Sequence, residues 1–515
     1  MTYDSADWTD GYMADINYTH GYYAELHPLR ARLAFLYAGL VPPSLGTHCE
    51  LGFGQGLSVN IHAAASASTW HGCDFNPAQA SLAQSLAQAS GADAHLSDQA
   101  FADFCTRSDL PDFDSIGLHG IWSWVSDQNR AVIVDFVRRK LKVGGVLYNS
   151  YNTQPGWASM VPMRDLLSDH AQVIGSAGQG VGSRIEEALA FADKLLTTNP
   201  RFAQANPHIA DRLNKIKEHD LHYVAHEYFN RDWLPMSFSR MAQWLSPAKL
   251  NFACSAVYTD HVAPLNLTAD QVALMMSIKD PIFRQTVRDF MVNQSFRKDY
   301  WVKGERRLGH LEREDALRAQ KVLLLRKRGD VPLRITGPIG EVGMQAAVFN
   351  PILDFLSDHT PKTIGQIEDV VKKQGVLFAQ LTEAVMILTG AGSLAAVQDD
   401  EQISVAQTHT SRLNALLINK ARDSDSIHFL ASPVTGGGIA MNRIQQLFLL
   451  ARQKGLTQPV EWAHDIWQIL QAQGQKLTHE GKTLESAEEN IAVLTKQAGE
   501  FMEAHLPILQ ALKIA

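Results

Sequence analysis

The sequence predicts an open, doubly wound α/β sheet followed by mainly α-helical domains. Three observations carry this reading. Strand-like and helix-like segments alternate through the first 150 residues, a pattern that folds into a parallel sheet flanked by helices. The first strand-like segment ends in a glycine cluster that opens a helix. Beyond residue 263 the apolar spacing is helical for most of the remaining chain.

The elements follow in order. His27 to Val41 reads as an amphipathic helix, with Leu29, Leu33, Leu36 and Leu40 near one face. Thr47 to Leu51, Thr69 to Asp74, Ala94 to Leu96, Phe113 to Leu118 and Gly144 to Tyr151 read as five strands. Leu57 to Ala65, Ala78 to Ser90 and Asn129 to Leu141 read as helices between them. Asp165 to His222 reads as a helical insertion, entered through a loop containing Gly175, Gly178, Gly180 and Gly182. A strand at Tyr223 to Phe229, a helix at Ser237 to Leu245 and a strand at Phe252 to Thr259 then resume the β-α-β rhythm. Ala269 to Val302 has helical spacing, and the charge-dense stretch from Lys303 to Asp330 reads as an exposed connector. Gln345 to Ala396 holds three helical patterns and a short segment, as in a winged-helix-like unit. The expected division is a sheet domain over 1–262 with its insertion at 165–222, a helical connector over 263–330, a winged-helix-like domain over 331–405 and a helical C-terminal domain over 406–515.

Composition bounds the function. The chain has 515 residues, enough for about three domains. Its 46 Lys and Arg against 54 Asp and Glu give a net charge of −8, unlike a dedicated nucleic-acid binder. The four cysteines, Cys49, Cys73, Cys105 and Cys254, have neither the density of a disulfide framework nor metal-ligand spacing. No apolar run is long enough to span a membrane. The first ten residues lack the basic and apolar regions of a signal peptide, so a cytoplasmic location is expected. His219, His222, His226 and Glu227 are close in sequence, but the strand-like reading around them gives no metal ligand set, and no metal is expected.

The strongest local motif is Cys49-Glu50-Leu51-Gly52-Phe53-Gly54-Gln55-Gly56, at a strand-to-helix turn. Glycines there let the backbone approach a ligand closely. Asp74 ends the second strand, at the distance where an acidic residue would hold ribose hydroxyls. Two Rossmann-like readings compete, a nicotinamide dinucleotide and S-adenosylmethionine. Glu50 favours the second, because a carboxylate before the glycines repels a pyrophosphate and tolerates a cationic methionine group. Asp98, after the third strand, would accept a hydrogen bond from the adenine amine, and Phe75 completes this cofactor set.

Two longer strings carry a family resemblance. They are Phe113-Asp114-Ser115-Ile116-Gly117-Leu118-His119-Gly120-Ile121-Trp122-Ser123-Trp124-Val125 and Gly144-Gly145-Val146-Leu147-Tyr148-Asn149-Ser150-Tyr151-Asn152-Thr153-Gln154-Pro155-Gly156-Trp157. The chain resembles class I S-adenosylmethionine-dependent methyltransferases that carry a methyltransferase regulatory domain. That family includes the rickettsial protein-lysine methyltransferases that modify outer-membrane protein B. The likeness extends through His226 to Asn230, Asn293 to Arg297 and Ala431 to Gly438. It implies a Rossmann-type methyltransferase domain with accessory C-terminal domains, S-adenosyl-L-methionine as cofactor, S-adenosyl-L-homocysteine as product, and a homodimer. Tyr18 and Tyr22, in an aromatic segment before the first helix, would lid the cofactor as such segments do in the family.

Methyl transfer needs a positioned nucleophile and a dry pocket. His119 follows the fourth strand, where it would orient the methionine part or act as a base titrating near neutrality. The alternative is a structural hydrogen bond to a loop. Tyr151 and Asn152 follow the fifth strand and would hold an amine, or else cap a loop on the sheet. Trp157, with Trp122 and Trp124, would line the same cavity or serve as core. The extent of chain beyond the sheet domain favours a protein substrate, with lysine as acceptor. The alternatives are methylation of a small molecule or surface glycan, and a non-catalytic S-adenosylmethionine sensor.

Overall fold

A computed structural model describes residues 19–175 and 180–515. The central sheet has seven strands: β1 (Thr47–Leu51), β2 (Thr69–Asp74), β3 (Ala94–Asp98), β4 (Phe113–Leu118), β5 (Leu141–Asn152), β6 (Leu250–Ser255) and β7 (Phe296–Lys303). Their order is β3-β2-β1-β4-β5-β7-β6. Neighbours from β3 to β5 run parallel, and β7 runs antiparallel between β5 and β6. The order reverses between β1 and β4. Ligands of open α/β sheets sit at such a switch point, beyond the carboxyl ends of the strands.

Local chemistry sets the flanking helices. In α1 (Pro28–Tyr37), the His27 Nδ1 accepts the Leu29 N–H at 3.1 Å, and proline takes the first position. The helix stops short of the expected Val41, because Gly39 adopts φ 77° and turns the chain towards Arg306 and Arg307. The helix α2 (Leu57–Ala65) is buried along its whole length. The helix α3 (Pro77–Ser90) is capped by Asn76, whose Oδ1 accepts from Ala78 and Gln79, and ends at Gly91 with φ 65°.

Three expectations are corrected. Tyr223 to Phe229 is not a strand: Leu221–Tyr228 is a helix, capped by the Asp220 carboxylate on the His222 N–H at 2.8 Å. Its Val224, Ala225 and Tyr228 join the core of the helices at Val161–Val173, Val181–Thr197 and Ile209–Lys217. The sheet does not end at residue 262, since β7 comes from the stretch read as a helical connector. Its buried Arg297 and Asp299 satisfy each other, at 2.8 Å between Nε and Oδ2. That pairing lets a strand with alternating charge enter the interior. Nor is 303–330 wholly exposed. Lys321–Leu324 is a strand with three buried residues, antiparallel to Lys362–Thr363 and Leu394–Val397.

That small sheet packs with helices Ala346–Phe355, Ile364–Val371 and Phe378–Gly390 in a core shared with α1. The C-terminal part docks elsewhere. Leu413, Leu417 and Ile418 of helix Asp400–Lys420 join Leu57 and Ile61 of α2 and Leu86 of α3. Gln398 donates to the Ala65 carbonyl at 2.7 Å and ties this region to the end of α2. No helix among the described residues is long and apolar enough to cross a membrane.

Candidate functional site

A cavity of about 380 Å³ lies at the carboxyl ends of β1, β2 and β4. The loop after β1 forms its floor. Gly52, Gly54 and Gly56 have φ of 71°, 58° and 72°, in the left-handed region that side chains resist. Space imposes glycine as well. A Cβ on Gly56 would meet the Ala83 Cβ at 2.3 Å, and one on Gly52 would meet the Ile121 Cδ1 at 2.4 Å.

Asp74 organises the loop from β2. Its Oδ2 accepts the Gly54 N–H at 2.8 Å and its Oδ1 accepts the Asn76 N–H at 3.0 Å. Burial nevertheless raises its pKa to about 6, against the pull of those two N–H groups. Glu50, in β1, is 1% exposed and lies beneath the loop rather than in the cavity lining. Burial, then the nearby Asp74, raises its pKa to about 8. Its Oε2 is sealed from solvent and has no hydrogen-bond partner.

His119 forms the opposite wall. Its Nδ1 shares a 2.8 Å hydrogen bond with the Tyr148 hydroxyl, and its ring stacks on Tyr23 with centroids 3.5 Å apart. Burial pushes its pKa down to about 3. The expectation of a histidine titrating near neutrality is therefore corrected, because the desolvated imidazole stays uncharged.

The structure brings Gly52, Gly54, Gly56, Asp74, Phe75 and His119 together around the cavity. Other expected residues lie elsewhere. Tyr22 packs against His62 and Phe429, with ring centroids 5.1 and 5.2 Å away, and the neighbouring Tyr23 lines the cavity instead. Asp98 is exposed, whereas Gln99 and Ala100, next in the chain, reach the lining. Tyr151 is fully buried, and its hydroxyl donates to Asp299 Oδ2 at 2.9 Å. Asn152 donates its backbone N–H to Ser123 Oγ at 2.8 Å, and its Nδ2 is sealed from solvent without a hydrogen-bond partner. Trp157 packs on Tyr228 and Trp233 in the helical insertion. Trp122 is core, while Trp124 lines the cavity. Tyr18 lies outside the described residues.

Gln55, Gln79 and Asp232 also line the cavity without having been singled out from sequence. Gln55 lay inside the glycine motif. Asp232 had no local signal, because it reaches the site only through the fold of the insertion. Among the described lining residues there are two carboxylates, Asp74 and Asp232, and no lysine or arginine. Among the described residues, no three His, Cys, Asp or Glu side chains are grouped to hold a metal ion.

The comparisons with known proteins agree with this architecture. Residues 220–303 match the family described as "Predicted methyltransferase regulatory domain". They run from the last helix of the insertion to the end of β7. The protein sll1526 of Synechocystis is 38% identical over 513 residues, which cover 99% of this chain and 100% of that protein. The Rickettsia prowazekii protein RP789 is 26% identical over 205 residues, 38% of this chain and 35% of its own. The solved structure of PKMT2 from Rickettsia typhi in complex with AdoHcy superposes with a TM-score of 0.67 at 16% identity. That superposition covers 96% of this chain and 99% of that one, so the two share a fold from end to end.

Proposed function

We propose that this chain, which belongs to the family of the Synechocystis protein sll1526, is an S-adenosylmethionine-dependent methyltransferase acting on lysine side chains of a protein. One observation carries the cofactor reading. A glycine loop of the nucleotide-binding kind opens onto a cavity with carboxylates and no basic side chain among its described lining residues. Among those residues a pyrophosphate would find no lysine or arginine as counter-charge. A sulfonium with an ammonium group finds complementary charge.

The residues present fit that group. The orphaned Glu50 Oε2 suits an ammonium, and the crowded glycines leave backbone for close approach. The Gly52 to Gly56 backbone would hold the methionine part, Asp74 the ribose hydroxyls, and Phe75 with Gln99 and Ala100 the adenine. Bound S-adenosylmethionine supplies a methyl group on sulfonium sulfur for in-line displacement. The chain's own part is to fix the acceptor in line with it and exclude water. His119, held uncharged by burial, gives a polar wall without a competing positive charge. Asp232, at the cavity edge, would draw in the acceptor ammonium. The lysine reading is supported by the resemblance to rickettsial protein-lysine methyltransferases and by the end-to-end superposition on PKMT2. On this reading the enzyme works in the cytoplasm.

The test is to incubate the protein with radiolabelled S-adenosylmethionine and a size-fractionated lysate of its host. Base-stable label in protein bands, located on lysine by mass spectrometry, is the expected result. Label confined to small-molecule or glycan fractions would replace the protein substrate. Cofactor binding with no transfer to any fraction would replace catalysis by sensing.

A further inference from the structure

The Thr435-to-Gly438 motif has no role in the site described above, and the fold gives it one. It closes the turn and begins the second strand of a hairpin, Phe429–Ser432 with Gly437–Ala440, that presses on the segment leading into α1. Glycine is required for the approach. A Cβ on Gly437 would lie 2.2 Å from the Tyr22 hydroxyl, and one on Gly438 would meet the Tyr22 ring at 3.0 Å.

Beside this contact is a second cavity, of about 140 Å³, outside the cofactor cavity. Tyr22, Arg30 and Tyr258 wall it from the sheet domain, and Thr435, Gly437 and Gly438 wall it from the C-terminal part. The Arg30 guanidinium lies over the Tyr258 ring, 4.5 Å from its centroid. Among the described residues it makes no hydrogen bond and no ion pair, and its Nε is sealed from solvent. The carboxylate that acts on it, Glu25, is paired with Lys298 at 2.8 Å. Across the cavity, the Thr435 hydroxyl is likewise sealed and unpartnered.

Arg30 is half-buried, and a guanidinium whose Nε is sealed from solvent without a hydrogen bond is costly. Its planar set of donors matches an oxyanion, and charge-assisted bonds to one are strong. The volume admits a group of a few heavy atoms. We propose that this cavity binds a small oxyanion, phosphate or carboxylate, between Arg30 and Thr435. The ligand would bridge the sheet domain and the C-terminal hairpin, and so stabilise their contact. It would also sit one residue from Tyr23, which walls the cofactor cavity.

Thermal unfolding of the full chain tests this. Sodium phosphate, sodium acetate and sodium chloride are titrated at matched ionic strength, with and without saturating S-adenosylhomocysteine. A saturable rise in Tm with phosphate or acetate, absent with chloride and retained when S-adenosylhomocysteine is present, is expected. The responding anion identifies the source as phosphate or carboxylate. Arg30→Gln should weaken that anion by at least about tenfold, the scale of one charge-assisted bond. Without anion, it should unfold no lower than the parent. Thr435→Val should weaken the anion several-fold. An equal response in the parent and Arg30→Gln, or no saturable response to either anion, overturns the proposal. If Arg30→Gln does not fold, undiminished affinity in Thr435→Val overturns it.

Discussion

The ring of Tyr23 lies flat on the imidazole of His119, with centroids 3.5 Å apart and planes 15° from parallel. This stack desolvates one face of the histidine, and Tyr148 takes its Nδ1. The imidazole is therefore a fixed, uncharged wall of the cavity, with a pKa near 3. Its substitution should act on binding rather than on proton transfer. His119→Asn should lower kcat/KM by roughly tenfold, the scale of one lost buried hydrogen bond. The pH–rate profile between pH 5.5 and 8.5 should keep its shape. A limb near pH 6.5 that vanishes in the variant would make His119 a proton carrier and contradict the burial argument.

Asp74 acts at the other end of the cavity. Both of its oxygens already hold loop N–H groups, so the carboxylate fixes the glycine loop before any ligand arrives. Asp74→Ala removes that brace together with the proposed ribose acceptor. Calorimetry should show S-adenosylhomocysteine binding weakened by roughly 1.5–3 kcal/mol, the range for a hydrogen bond to a charged group. Asp74→Asn keeps an acceptor and should fall between. Unchanged affinity in the alanine variant would remove Asp74 from the ribose site.

The parts of this site that follow from strand ends were legible in the sequence. The glycines, Asp74, Phe75 and His119 each stand at the carboxyl end of a strand that alternation alone located. What failed was the choice between neighbours. Tyr22 and Tyr23 are adjacent in an extended backbone, Tyr23 having φ −124° and ψ 95°, so they face opposite ways. Only the position of the Gly437–Gly438 hairpin decides which one faces the cavity. Tyr151 and Asn152 were misplaced for a related reason. β5 stays paired with β7 to its last residue, Tyr151 against Arg297 and Asn152 against Phe296, and that pairing buries them. The strand β7 itself was hidden by Arg297 and Asp299, whose charges argue for an exposed helix until each is seen to neutralise the other. The helix at Leu221–Tyr228 was hidden by strand-favouring Tyr223, Val224 and Phe229, and the Asp220 cap was the overlooked signal.

Tyr151 makes this difference measurable. Its hydroxyl donates to Asp299, which also takes two bonds from Arg297 at 2.8 and 3.0 Å. Tyr151→Phe should lower stability by about 1–3 kcal/mol, since a buried carboxylate loses a donor. Cofactor affinity and kcat, measured well below the transition, should stay within about twofold. A drop in kcat with unchanged Tm would instead place the hydroxyl beside the transferred methyl.

Glu50 yields a pH dependence with a definite sign. Its pKa rises from about 4.5 unfolded to about 8 in the folded chain, chiefly through burial. The native state thus holds a proton that the unfolded state releases earlier. The stability this contributes is fully present below pH 4.5 and is lost as pH rises through 8. Asp74, raised from 3.8 to about 6, adds a decline of the same sign at lower pH. The ligand-free protein should therefore lose thermal stability between pH 5 and pH 8. Glu50→Gln keeps the neutral form throughout and should lose less. At pH 8 it should exceed the parent by on the order of a few kcal/mol, with the gap closing towards pH 5. The same variant should bind S-adenosylmethionine more weakly, because the ammonium loses its carboxylate. Differential scanning calorimetry across this range, with and without ligand, checks both halves. A parent protein whose ligand-free stability stays flat from pH 5 to pH 8 would mean that Glu50 is ionised beneath the loop and has a partner there before the ligand binds.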